Sequence, residues 1–279
     1  MAKRFVGKVA VITGASEGVG AEVARLFVEE GAMVVLAARR RGPLEVLAEE
    51  LEAEGGRALV VPTDVADLEA CRRLLSRTVE VAGAFHVLVN NAGAHVRGPV
   101  ADRTPAELAT MVDVNAKAPI VLSRLALPHL KAAGGGAIVS VASLAGQVPL
   151  PDAATYSASK FALRVFSLAL ADELRDEPIR VSLVSPGPII DTGFLMDSLD
   201  EAADVVFAQP MVNAREVATM VLDCAFDGRR ERSRPRSSSF LARSTYVVPG
   251  LRRVLEPIMK ARGRRMKAVY RARRDADSG

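Results

Sequence analysis

Short apolar runs rich in β-branched residues alternate along this chain with longer segments whose apolar residues recur at helical spacing, and that alternation leaves few folds open. Runs near 8–13, 33–38, 57–62, 86–90, 136–142 and 179–185 read as strands; segments at about 18–30, 43–54, 67–81, 104–131, 155–174 and 214–226 read as helices. Strands that are apolar on both sides need cover on both faces, and strand–helix–strand crossovers are right-handed. The expected fold class is therefore α/β, a doubly wound parallel sheet of about seven strands with helices on both faces. Ser244–Val248 reads as a weaker strand at one edge. Ligands of such sheets bind beyond the carboxyl ends of the strands, so the chemistry is sought there.

At 279 residues the chain can bury one large core, and no low-complexity linker splits it. Charge divides it instead. Residues 229–279 hold 16 Lys and Arg against four acids, whereas the rest holds 21 against 29. An acidic domain over 1–228 thus carries a basic extension over 229–279. In the extension Leu251, Val254, Leu255, Ile258, Met259, Met266, Val269 and Tyr270 fall near helical spacing between Arg and Lys, with breaks around Pro257 and Gly263. Such a basic amphipathic helix packs on its own domain or a partner subunit, or lies on an anionic membrane surface in peripheral contact; nucleic-acid binding weighs least, because basic charge alone gives only nonspecific affinity. The two cysteines, Cys71 and Cys224, fit no metal spacing and no disulfide framework. With a start that lacks a secretory leader and no charge-free apolar run of ~20 residues, a cytoplasmic location is expected.

After the first strand comes Thr13-Gly14-Ala15-Ser16-Glu17-Gly18-Val19-Gly20, opening a helix. Gly14, Gly18 and Gly20 permit a tight turn, and the helix start offers free N–H groups and partial positive charge to a pyrophosphate, so Gly14, Ser16, Glu17, Gly18, Val19 and Gly20 are read as a dinucleotide loop. The second strand ends on Ala38-Arg39-Arg40-Arg41, where a ribose-binding acid would be expected. A missing carboxylate followed by Arg39 favours a cofactor with a 2′-phosphate, NADP(H) over NAD(H). Glu17 counts the other way, since its charge lies near the same phosphate.

Asp64-Val65 follows the third strand and Asn91-Ala92-Gly93 follows the fourth, both where cofactor groups should lie. Asn115 falls in an apolar helical stretch, where an amide needs partners. Ser143 ends the fifth strand. Tyr156 and Lys160, four apart, project side by side from one helix, so that a phenol and an ammonium share one environment. Scattered histidines (His86, His95, His129) give no metal site; only His95, just after the Asn91–Gly93 turn, is a candidate for the substrate entrance. No Gly-x-Ser-x-Gly elbow surrounds Ser143, which argues against a hydrolase triad.

TGASEGVG, NNAG, Asn115, Ser143, Tyr156-x-x-x-Lys160 and Ser185-Pro186-Gly187 stand in the order and spacing of the short-chain dehydrogenase/reductase family, which residues 5–228 resemble. The resemblance implies a Rossmann-like domain that transfers hydride between a nicotinamide and an alcohol or carbonyl carbon. It implies Tyr156 as general acid/base, Ser143 on the substrate oxygen, Lys160 lowering the Tyr pKa and holding the nicotinamide ribose, and Asn115 anchoring a relay water. Pro186, Gly187, Ile189 and Thr192 would contact the cofactor, although the loop to Thr192 is one residue longer than the commonest form. A small-molecule alcohol or carbonyl substrate and a homodimer or homotetramer are implied as partners, and no metal. The rival is a non-catalytic NADP(H)-binding scaffold acting through its basic tail. The segment 187–212 reads as a flap over the site, with Phe194, Leu195, Met196, Val205, Val206, Phe207 and Met211 as an apolar pocket wall.

Overall fold

In a computed structural model describing residues 2–196 and 199–277, the chain runs β1 Val9–Thr13, α1 Gly18–Glu29, β2 Met33–Ala37, α2 Arg41–Ala53, β3 Arg57–Val60, α3 Leu68–Ala82 and β4 Val87–Asn90. It continues α4 Pro105–Val112, α5 Ala118–Ala132, β5 Gly136–Val141, α6 Ala154–Glu173, β6 Ile179–Pro186, α7 Gly193–Met196, α8 Ala214–Asp227, β7 Glu231–Arg234, α9 Arg236–Val247 and α10 Pro249–Asp277. The segment read as one helix over 104–131 is α4 and α5 joined by a single π turn, Asp113–Lys117.

All seven strands are parallel, in the order β3-β2-β1-β4-β5-β6-β7. β1 shows why both faces must be covered. Ala10 and Ile12 enter one core with Val23 and Phe27 of α1 and Val217 and Val221 of α8, while Val9 and Val11 enter the other with Leu74 of α3, Leu122 of α5 and Leu170 of α6. Each buried Leu or Val contributes about 2 kcal/mol, so the two cores dominate the fold's stability. Cys71 and Cys224 are buried free thiols, and burial raises them to about 11 and about 12, so both stay protonated at neutral pH.

The edge differs from expectation. Ser244–Val248 does not form a strand; most of it ends α9, with Thr245 Oγ1 donating to Leu241 O and Ala242 O, 2.9 and 3.0 Å away. The seventh strand is β7, a run of charged and polar residues lying past residue 228. What holds it is Glu231, whose carboxylate accepts from Arg164 at 2.9 and 3.0 Å, Arg243 at 2.8 Å and Ser185 at 3.0 Å. Burial pushes this carboxyl up, but the two arginines and Ser185 outweigh it and hold it below the ordinary range. That contribution is present above the ordinary carboxylate pKa and lost as pH falls through the lowered one. Glu231→Ala is expected to cost about 2 kcal/mol, less than a fully buried pair because Arg243 is half exposed; urea unfolding at neutral pH measures it, and a gap that closes on acidification confirms the origin.

Among the described residues, no helix is long and apolar enough to cross a membrane. The basic α10 packs back on 199–211. Met266 and Tyr270 join Leu199 and Phe207, Lys267 donates to Asp200 O and Ala202 O at 2.9 and 2.6 Å, and Arg271 and Arg274 pair with Asp200. Gly263 lets the helix approach, since a Cβ there would meet Asp204 O.

Candidate active site

The carboxyl ends of the central strands open onto a cavity of about 1000 Å³, beside the point where strand order reverses between β1 and β4. Its floor at one end is the turn from β1 into α1. Gly14 and Gly18 take φ of +64° and +54°, and a Cβ on Gly14 would meet Ala92 Cα at 2.8 Å. Glu17, at the N-cap, is extended and makes no side-chain cap, so the first N–H groups of α1 face the cavity without a capping side chain. Asn91 fastens the turn, its Nδ2 donating to Thr13 O and Gly14 O at 3.0 and 3.1 Å, while Thr13 Oγ1 accepts from the Asn91 and Ala92 amides.

These groups fit a dinucleotide. Thr192 Oγ1 is buried with no hydrogen-bond partner among the described residues, and the Thr192 methyl closes over Gly18. A bridge between Ile189 and Val212 holds that segment in place. Arg40 pairs with Glu17 at 3.1 Å on the exposed rim of the loop, and Arg39 lines the cavity beside Ala38. Asp64 turns its Oδ1 onto the Ala66 amide at 2.9 Å and presents its edge to the same cavity.

Deeper in, Tyr156 projects from α6, buried to 8% exposure, and its side chain hydrogen-bonds that of Ser143. Ser143 is itself fixed, its Oγ accepting from the Ala145 amide at 3.1 Å. One turn on, Lys160 is 4% exposed; its Nζ donates to Val141 O at 3.0 Å and lies 5.9 Å from the Tyr156 ring centre. Burial pulls this ammonium down to about 8. The phenol moves up: burial is the largest influence, and Ser143 and the charge of Arg97 offset only part of it. Gly146 allows α6 to approach, because a Cβ there would lie 2.6 Å from Lys160 O.

Asn115 sits in the π turn, fully buried, with Oδ1 accepting from Ala94 N at 2.8 Å and Nδ2 donating to Ala94 O at 2.8 Å and Ser159 Oγ at 3.0 Å. It therefore pins the loop after β4, and Asn115 Oδ1 and Lys160 Nζ converge on Gly93. Gly20 and Asn115 stand behind the cavity wall. The other residues expected at the site, Gly14, Ser16, Glu17, Gly18, Val19, Arg39, Asp64, Val65, Asn91, Ala92, Gly93, Ser143, Tyr156, Lys160, Pro186, Gly187, Ile189 and Thr192, all line it. Of the flap residues, Leu195, Val205 and Val206 line it as well, while Phe207 is buried against α10. The side chains of Phe194 and Met196 lie outside the described residues.

Arg97 was not foreseen, whereas His95, the candidate for the substrate entrance, does line the cavity. Arg97 is buried within range of Tyr156, and burial lowers its guanidinium; a charged residue four places after Gly93 was the available signal. His95 stacks on the Tyr156 ring, centroids 3.9 Å apart, and burial, Arg97 and Lys160 hold it neutral at about 3. No group of three His, Cys, Asp or Glu able to hold a metal ion occurs among the described residues.

A doubly wound parallel sheet with a glycine turn at its switch point defines a nucleotide-binding protein of the Rossmann type. The short chain dehydrogenase family matches residues 8–203. Ketoacyl reductase HetN of Nostoc sp. is 35% identical over 194 residues, 70% of this chain and 68% of its own. A metagenomic short-chain oxidoreductase in complex with NADP superposes with TM-score 0.71 at 34% identity, covering 82% and 97% of the two chains. A short chain dehydrogenase/reductase from Burkholderia phymatum in complex with NAD does so with TM-score 0.79 at 27% identity, covering 89% and 96%. The chain belongs to the short-chain dehydrogenase/reductase family of oxidoreductases.

Proposed function

We propose that this chain interconverts an alcohol and a carbonyl on a small or lipophilic substrate, using NADP(H), with Tyr156 as the general acid/base. The supporting observation is a buried phenol hydrogen-bonded to Ser143 within the same cavity as the glycine turn. When bound, the nicotinamide supplies or accepts the hydride. The backbone of Gly14–Gly20 and the start of α1 would hold its pyrophosphate, Ala92, Gly93 and Lys160 its nicotinamide ribose, and Thr192 its carboxamide.

Tyr156 stays protonated at neutral pH because burial raises it. A protonated phenol suits donation to the oxygen of a carbonyl under reduction, and Ser143 holds that oxygen in place. Lys160, lowered to about 8, exchanges protons near neutral pH and so resupplies the phenol. Asn115 fixes the Ala94 loop beside this path, with spare acceptor capacity at Oδ1 for a relay water. Apolar Leu150, Val206, Leu255 and Met259 wall the remainder of the cavity, which favours a lipophilic substrate; the resemblance to a ketoacyl reductase accords with that class. Exposed Val112, Ile120 and Val165 on α4, α5 and α6 support a homodimer or homotetramer through these helices.

Consumption of NADPH and NADH over a panel of carbonyls tests the reading. Tight cofactor binding without turnover on any carbonyl would sink it in favour of a scaffold. The NADP(H) preference rests on Arg39, next to Ala38. Arg39→Ala is expected to lower kcat/KM for NADPH by at least about tenfold, the loss of a charge-assisted hydrogen bond, and to change that for NADH by less than about twofold.

A further inference from the structure

α9 and α10 each have two working sides. Inward, Leu241 and Thr245 of α9 and Leu255 and Met259 of α10 line the cavity. Outward, the two helices and the turn between them expose large apolar side chains in succession: Phe240 at 75%, Tyr246 at 55%, Val247 at 76%, Val248 at 53%, Leu251 at 37% and Val254 at 67%. Isolated apolar residues on a surface are ordinary, but a cluster at one tip marks a contact face. Around it the chain is strongly basic. Arg253, Arg264 and Arg265 are exposed on α10, whereas Arg230, Arg232, Arg234, Arg243, Lys260, Arg271 and Arg274 are paired with acids of the chain. Helical geometry at 100° per residue puts Leu251, Val254 and Arg265 on one outer stripe, with Arg253 and Arg264 farther round the helix and Met259, Gly263, Met266 and Tyr270 on the side toward the flap, while Arg262 also borders the cavity.

We propose that the α9–α10 tip docks on an anionic bilayer surface, with Val247, Val248 and their apolar neighbours entering the headgroup boundary and the arginines of α10 meeting lipid phosphates. Charge decides the occupant. Tip to tip, a second copy would set the same exposed arginines against these and be repelled, whereas anionic headgroups match them and take up the apolar side chains as well, and each Arg or Lys adds roughly fivefold to such binding. Nucleic acid matches the charge but leaves the apolar tip in water. The same two helices wall the cavity, so docking sets that wall beside lipid; a substrate drawn from the membrane rests on the oxidoreductase reading, while the docking itself does not.

The test is flotation of the full-length protein with vesicles of phosphatidylcholine alone and of phosphatidylcholine mixed with phosphatidylglycerol, at low and high salt. Binding to the mixed vesicles is expected to exceed that to neutral ones by at least about tenfold and to weaken with salt. Val247→Ser with Val248→Ser, both outside the cavity wall, is expected to lower it about tenfold, and Arg264→Gln with Arg265→Gln to lower it by more. Circular dichroism and NADPH binding in solution confirm that each variant folds. Equal or no binding to the two vesicles overturns the proposal. So does binding untouched by the valine pair, which would leave charge alone, as for RNA, or a loss of self-association in that variant, which would assign the tip to a second copy. Vesicle binding needs no turnover, so it stands or falls apart from the proposed reaction.

Discussion

Tyr156→Phe is expected to lower kcat for carbonyl reduction by about three orders of magnitude and to leave NADPH affinity within about twofold of the parent. General acid catalysis by a positioned group is worth roughly 10²–10⁴ in rate, and this substitution removes the hydroxyl, with its proton and its hydrogen bond to Ser143, and leaves the ring. The ring remains, buried and stacked on His95 at 3.9 Å. Unlike truncation to Ala, it opens no cavity in the cluster with Met111, Ala145 and Ala153. Ser143→Ala, by contrast, removes one hydrogen bond to the oxygen and should cost less, about 10²-fold. Steady-state kinetics with fluorescence titration of NADPH separate the two readouts. Full activity in Tyr156→Phe would mean that another group delivers the proton; Arg97 and Lys160 are the cations nearest it.

The central sheet was legible because β1, β2, β4 and β5 are buried on both sides and nothing in the chain competes with that pattern. The edge was not. β7 is Glu-Arg-Ser-Arg, with no strand signature, and it pairs with β6 because Glu231 meets Arg164 from α6 and Arg243 from α9. Ser244–Val248 has β-branched residues, yet Ser244–Val247 forms the last turn of α9, since tertiary packing overrides a propensity worth under about 1 kcal/mol per residue. The site divides in the same way. Glycines, turns and the Tyr156–Lys160 pair are local patterns and could be read. Arg97 matters only because the loop after β4 folds over α6, a meeting of residues 59 positions apart that no short motif encodes. The basic helix was legible as amphipathic, but its seat was not: Gly263 reads as a break in sequence and serves in the fold as the point of closest approach to Asp204.

Lys160→Met is expected to move stability and activity in opposite directions. In the folded protein the ammonium titrates at about 8 against an ordinary 10.5, so folding disfavours its charged form. Below about 8 both folded and unfolded chains carry the proton and the full cost of burial applies, about 3 kcal/mol. As pH rises from the folded to the unfolded pKa the folded chain sheds its proton first, stability climbs, and above both values the cost is gone. Methionine fills a similar volume without the charge, but leaves Val141 O without its 3.0 Å donor, which takes back about 1 kcal/mol. Urea unfolding of the ligand-free variant at pH 7 should therefore show a gain of about 2 kcal/mol that shrinks toward pH 10. Carbonyl reduction should fall by about 10²-fold or more, because the nicotinamide ribose loses its holder and the phenol its proton supply. A variant less stable than the parent at pH 7 would show the ammonium to be well compensated where it is buried. A residue kept for packing would not be retained at a cost to the fold, so a stability gain paired with lost turnover would mark Lys160 as held there for chemistry.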